Sequence, residues 1–295
     1  MPVYEASYRP WDGKARPSRR AAFAIAATMI PRLYKLKLVR FPVLVLPLVA
    51  SVLAGTTFYF GHGKIFQMVA QRLEWGDFSL LNYVNQYFFM MARYFAIILA
   101  AVAGGPLIAE DHRARALPLY FARPITHLDY VLGKMLSVGT FVALLLFVPP
   151  IVMYLVDISL APGDDAWRTE LPALLGSLVP AVCGVVVLSS IALASSSLCE
   201  RSQFGTFLCI ALLMVSGFVG GTLAGVLQEP AFAMIAPTEA LMRVTMDVVP
   251  VPAQVQPVTY LDGVNVSAAW TSLAVWTAAS LFVLTVRIRK VEVVT

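Results

Sequence analysis

The chain has 295 residues, 59% of them hydrophobic and only 13% charged, with a mean hydropathy of +0.77. Its apolar residues come in runs of about 20, the length that crosses a hydrocarbon layer, so the pattern excludes a single soluble domain and points to a polytopic membrane protein. The net charge of +5 is a matter of topology and makes no case for nucleic-acid binding.

The first 20 residues, MPVYEASYRPWDGKARPSRR, are polar and basic and carry no short apolar core with a small-residue cleavage site. The first membrane helix is therefore expected to double as the targeting signal. Residues 18–40 intersperse Phe23, Ile30, Leu33, Leu36 and Leu38 with Arg19, Arg20, Arg32, Lys35, Lys37 and Arg40. That pattern suits an amphipathic helix lying on anionic membrane lipid, and equally a basic flank before the first span. Residues 1–40 thus form a basic tail with its helix, and residues 41–290 a transmembrane domain.

Six spans are predicted, at about 41–60, 85–109, 131–156, 172–198, 204–227 and 267–287. None shows the alternation of a transmembrane strand, so the fold class is all-α. Pro42, Pro47, Pro149, Pro150 and Pro180 fall inside these runs, where neighbouring helices satisfy the freed carbonyls. One side of the scheme holds the nine Lys and Arg of the first 40 residues, the four from Arg113 to Lys134, Arg201 and the three of the tail. The other holds Lys64, Arg72, Arg168 and Arg243. The positive-inside rule then puts both termini in the cytoplasm. Arg93 is the one charge well inside a span, roughly 12 Å from its outer boundary at 1.5 Å per residue. It either lines a path for an anionic or polar group or reaches outward to Glu74 or Asp77.

Between spans two and three lies AEDHRARALPLYFARPITHLDYVLGKM, Ala109 to Met135. The spacing predicts a short cytoplasmic helix opened by the acids Glu110 and Asp111, which suit its dipole. Arg113 and Arg115 follow, then an apolar ridge of Leu117, Leu119, Tyr120 and Phe121, and Pro124 after Arg123 stops it. Thr126 with Asp129 forms a capping box for a second helix from His127. A plain hairpin needs only a few residues, so this insert reads as a docking element, or else as a solvated loop without a partner. In span five Gly217, Gly221 and Gly225 place three small residues on one helix face, for a subunit interface or for tight packing within the chain. Residues 228–266 form a long external segment. Its first part, EPAFAMIAPTEALMRVTM, is apolar enough to dip into the membrane, and the rest is Pro-rich.

Cys183, Cys199 and Cys209 have no CxxC spacing, and His62, His112 and His127 form no metal pattern, so neither a catalytic nor a metal site is expected. There is no GxSxG, no HExxH and no Gly-rich loop ending in Lys-Ser/Thr. Work driven by ATP would need another chain to bind it.

The stretch EDHRARALPLYFARPITHLDYVLGKM resembles the segment between the second and third helices of permease subunits of type 2 export ABC transporters. The matching positions are the acidic pair Glu110 and Asp111, the Leu-rich Leu117 to Phe121, the Arg123-Pro124 step, and Tyr130, Gly133 and Lys134 entering the third helix. A Glu-Gly-Thr run of many relatives is replaced here by Arg113 to Ala116. The resemblance implies a coupling helix that docks on a separate ATP-binding subunit. Two copies of that subunit, with their ATP and Mg, would drive a pair of permeases formed with a second copy or a paralogue. It further implies that the first and fifth helices meet at the dimer contact, that external helices re-enter as an outer gate, and that cargo leaves across a bacterial inner membrane. The reading from another class is an anchoring or assembly subunit that docks a cytoplasmic ATPase without moving cargo. An ion-coupled carrier is disfavoured by the scarcity of mid-membrane ionisable residues and the lack of an inverted repeat.

Overall fold

A computed structural model describes residues 19–61, 79–116, 120, 125–160, 165–251 and 260–292. Among them the chain is all-helical. The elements in order are α1 (Arg19–Tyr34), α2 (Lys37–Gly61), α3 (Leu80–Arg113), α4 (His127–Leu160), α5 (Ala166–Leu198) and α6 (Ser202–Leu227). A 3-10 turn (Pro230–Ile235), α7 (Pro237–Val248) and α8 (Val266–Glu292) follow. Helices α2 to α6 and α8 are long and apolar enough to cross a membrane, and each contains its predicted span. The predicted prolines sit inside them, joined by Pro106 in α3 and Pro172 in α5.

Helices α3 and α5 form the centre, packed against each other and against α4, with α2, α6 and α8 outside them. The central helices owe their place to small residues: Ala96, Ala100, Ala101, Ala103 and Gly104 of α3 and Ala181, Ala192 and Ser196 of α5 are buried. The outer helices leave large apolar side chains uncovered, among them Leu48 and Val52, Phe207 and Phe218, and Val275 and Phe282. In water such surfaces would drive association; against lipid they carry no such cost. The architecture is that of a multi-pass membrane protein.

Helix α1 lies against α4 and buries Ala22, Ile25, Ala26, Met29 and Leu33. Of the apolar face read from sequence, Leu33 is buried and Ile30 partly so, whereas Phe23, Leu36 and Leu38 are exposed. Packing on α4 selects the smaller residues at helical spacing, because Gly133 of α4 meets the α1 backbone directly. A Cβ there would lie 2.8 Å from the Ala22 carbonyl oxygen.

The described residues after α6 pack back on the bundle. The 3-10 turn packs on α6 and α7 on α5 and α8, burying Ala233, Met234, Ala240, Leu241, Met242, Val244 and Met246. Its backbone is fastened from α8, where Ser272 Oγ donates to the Met234 carbonyl at 2.5 Å and Trp276 Nε1 to the Ile235 carbonyl at 2.9 Å. This defines a cap end of the bundle. Residues 114–116, 120, 125 and 126 lie at the opposite end, here the connection end.

Candidate functional site

Helix α3 runs without interruption to Arg113, so Glu110 and Asp111 stand in its last turn. This corrects the expectation of a separate helix with those acids in its first turn. The sequence has no breaker at Ala109, and His112 and Arg113 supply the cations that suit a helix C-terminus. The helix ends in a Schellman motif: the Ala116 amide donates to the Asp111 carbonyl at 2.9 Å and the Arg115 amide to the His112 carbonyl at 3.1 Å. The motif needs a left-handed residue, and Arg115 takes that place with φ 49°. Beyond it the Tyr120 amide donates to the Ala116 carbonyl at 3.2 Å. Leu117, Leu119, Phe121, Arg123 and Pro124 lie outside the described residues. Glu110, Arg113 and Arg115 are exposed, as a polar rim would be.

Helix α4 opens on a closed capping box. Thr126 Oγ1 and its amide both donate to Asp129 Oδ2, at 2.6 and 3.1 Å, and the Asp129 amide donates back to Thr126 Oγ1 at 3.1 Å. Aspartate thus serves in a position usually given to Glu or Gln.

The two helix ends are joined by a buried polar node. Lys134 Nζ lies 2.8 Å from Asp111 Oδ2 and donates to the Leu107 carbonyl at 3.0 Å. Tyr130 Oη donates to the same Asp111 oxygen at 2.6 Å. The Lys134 side chain is 1% exposed and Tyr130 is fully buried, so the carboxylate is the ammonium's compensation in an apolar setting. Aromatic faces complete the shell: the Tyr130 and Tyr120 ring centroids lie 5.4 and 6.0 Å from Nζ, and the two rings meet edge to face at 5.3 Å. Tyr120 comes from the connection itself, so the node ties that segment to α3 and α4 at once. The Tyr-x-x-Gly-Lys pattern resolves into three jobs, with Tyr130 and Lys134 facing α3 and Gly133 admitting α1.

Nearly two turns deeper along α3 from Asp111, α3 crosses α5 and α6 at backbone distance, a feature the sequence reading missed. A Cβ on Gly104 would lie 2.7 Å from Ala192 Cβ, and one on Gly205 would lie 2.6 Å from the Gly105 carbonyl oxygen. Proline at 106 has no amide, and Ser196 of α5 fills the irregularity. Its hydroxyl donates to the Gly105 carbonyl at 2.6 Å and accepts from the Ile108 and Ala109 amides, each at 3.0 Å. The available signals were the Gly104-Gly105-Pro106 step inside an apolar run and the run of serines from Ser195 to Ser197.

The remaining predicted residues lie elsewhere. Arg93 pairs with Glu239 of α7 at 2.9 Å, a partner the sequence reading did not name, and it faces the cap end. Glu74 and Asp77 are outside the described residues. Among the described residues nothing lies within 4 Å of where a Cβ on Gly217, Gly221 or Gly225 would sit; Gly220 is the glycine that meets the 3-10 turn. Cys183, Cys199 and Cys209 are free thiols. Comparison with known protein families finds no matching family model, and comparison with curated proteins finds no matching sequence.

Proposed function

We propose that this chain is the permease subunit of an ATP-driven ABC exporter in a bacterial inner membrane, with both termini cytoplasmic. Two copies of a separate ATP-binding subunit supply the hydrolysis, and a second permease copy or paralogue completes the membrane part. The observation that supports this reading best is the Asp111–Tyr130–Lys134 node behind the 114–126 connection. A docking segment transmits force only if it is fixed to the elements it must move. Here Tyr120, Tyr130, Lys134 and Asp111 fix one connection to two membrane-length helices, and Gly133 brings in α1. The exposed Arg113 and Arg115 are free to meet an acidic rim on a partner, which sets orientation and association rate.

The test is purification of the chain from its native membrane, followed by charge reversal at the rim. An ATPase should accompany the wild-type chain. The R113E/R115E double variant should lose the ATPase or leave its hydrolysis independent of transport. A chain that purifies alone and is indifferent to the reversal would refute the assignment. An anchoring subunit would instead keep its ATPase and its cellular role when the partner's hydrolysis is abolished.

A further inference from the structure

At the cap end, α3 turns a polar face towards the segment after α6. Asn82 Nδ2 donates to the Pro250 carbonyl at 3.2 Å, Gln86 Nε2 to the Val249 carbonyl at 2.6 Å, and Arg93 Nη1 to Glu239 Oε1 at 2.9 Å. The amide bonds hold backbone, so α7 keeps its seat whether or not the ion pair is made. Arg93 is held in place independently: Nη2 donates to Tyr94 Oη at 2.9 Å, and the guanidinium lies 4.8 Å from that ring centroid. Glu239 can therefore leave by rotating its own side chain, while the guanidinium stays.

The pair stands between two spaces. On one side Glu239 and Tyr260 wall a groove of about 440 Å³ that runs along Gly217, Gly221 and Gly225 and opens outward. On the other, Arg93 lines a small cavity among Phe89, Leu188 and Met242 at the centre of the bundle. The second Glu239 oxygen accepts the Tyr260 hydroxyl. Burial and the Glu239 carboxylate push that phenol up to about 12, so it stays a donor at any physiological pH.

Glu239 uses the guanidinium incompletely. It takes one Nη, and the buried Arg93 Nε has no hydrogen-bond partner among the described residues. About two helix turns away, fully buried Asn85 has partners for neither its oxygen nor its nitrogen among the described residues. Arginine is permanently charged and its planar fork matches an oxyanion with two or three oxygens better than a single carboxylate oxygen.

We propose that Arg93 and Tyr260 form a binding site for the anionic head of an amphiphile, a carboxylate or phosphate monoester, that enters along the groove, and that Glu239 is its built-in competitor. The glycine wall gives room for an apolar chain, and the outgoing Glu239 carboxylate is replaced like for like, so Arg93 is never left uncompensated. The inference deepens the transport reading by giving the cargo a chemical class, and it rests on that reading only for calling the ligand cargo.

Binding is measured on the full chain alone, in neutral maltoside micelles at pH 7.5, with radiolabelled dodecyl phosphate and dodecanoate as separate probes and dodecyltrimethylammonium as the cationic control. The expected result is weak binding of one or both anions to wild type, at least tenfold tighter binding to E239Q, and return to the wild-type level or below in E239Q/R93Q. The two anion arms tell a phosphate from a carboxylate preference. Unchanged affinity in E239Q, tight binding retained in E239Q/R93Q, or equal binding of the cation overturns the proposal. So does a shift of E239Q to a dimer with no probe bound, which would make the groove a self-association face. If E239Q does not fold, E239D withdraws the carboxylate by one methylene and should bind about threefold tighter; no change there overturns it equally. The assay contains no ATPase, so it is independent of purification from the native membrane: absence of an ATPase in that purification would sink the exporter reading and leave this site standing, and failure of anion binding would do the reverse.

Discussion

Replacing Lys134 by methionine removes a cation whose side chain is 1% exposed, at little change in volume, and strands Asp111 beneath the connection. Breaking a buried pair by deleting one partner costs about 3–5 kcal/mol. Asp111 keeps the Tyr130 hydroxyl at 2.6 Å, and a hydrogen bond to a charged group retains about 1.5–3 kcal/mol. The expected cost of K134M is therefore near the lower bound, about 3 kcal/mol. D111N leaves Lys134 with the Leu107 carbonyl and a neutral amide, at a cost of about 2–3 kcal/mol. The double variant carries no buried charge at the node and should cost only about 1–2 kcal/mol, well short of the sum of its parents. Reversible unfolding in mixed micelles, followed by helical circular dichroism, reads all four proteins. A double variant equal to the sum of the singles within about 0.5 kcal/mol would refute an ion-pair account and leave only packing.

Three further predictions concern the same end of the bundle. S196A removes three hydrogen bonds from the α3 backbone at Gly105, Ile108 and Ala109 and should destabilise by about 1–3 kcal/mol, with faster hydrogen exchange at Ile108 and Ala109 than elsewhere in α3; unchanged exchange there would remove the clasp. G205A drives a methyl into the Gly105 carbonyl and should lower stability by about 1–3 kcal/mol or more, whereas G221A, facing open space, should stay within about 0.5 kcal/mol in the same unfolding assay. R115G relieves the left-handed strain at the Schellman position and should raise stability by about 0.5–1 kcal/mol, seen as a higher melting temperature; a lower one would mean that the Arg115 side chain is making a contact that matters.

The six long helices were legible because about 20 consecutive apolar residues admit few other readings. The capping box was legible for a related reason, since Thr126 and Asp129 interact within one turn. What escaped were relations between helices. Lys134 was read as part of a motif, yet its partner Asp111 lies 23 positions earlier on another helix, and local spacing gives no measure of that distance. The glycines show the same limit. The regular Gly217-Gly221-Gly225 row drew attention through its period, while the backbone crossing uses Gly104, Gly105 and Gly205, which have no shared period because they sit on two helices. The acids of Glu110-Asp111 were placed in a first turn on dipole grounds; a run that never breaks before Arg113 outweighs a dipole preference of about 0.3–1 kcal/mol.

Helix α3 carries both sites, and its irregular point lies between them. From Arg93 to Asp111 the helix spans 18 residues, about 27 Å at 1.5 Å per residue. Gly104, Gly105 and Pro106 lie roughly two turns before Asp111; proline takes away the amide that the Val102 carbonyl would ordinarily receive, and Ser196 of α5 clasps the following turn at Gly105, Ile108 and Ala109. A displacement applied at the node has two routes. If α3 stays rigid, it moves Arg93 relative to α7 and strains the Glu239 pair. If α3 bends at Gly105, the motion is absorbed at the crossing with α5 and α6, and the cap end stays shut. The Ser196 clasp bears on both, because it ties this point of α3 to α5: α3 moves as one piece only where α5 moves with it, and it bends at Gly105 only where the clasp opens. On the proposed function, S196A should therefore lower transport more than it lowers partner binding, since the node and the rim are left intact. Loss of both in proportion would mean that the crossing serves stability alone.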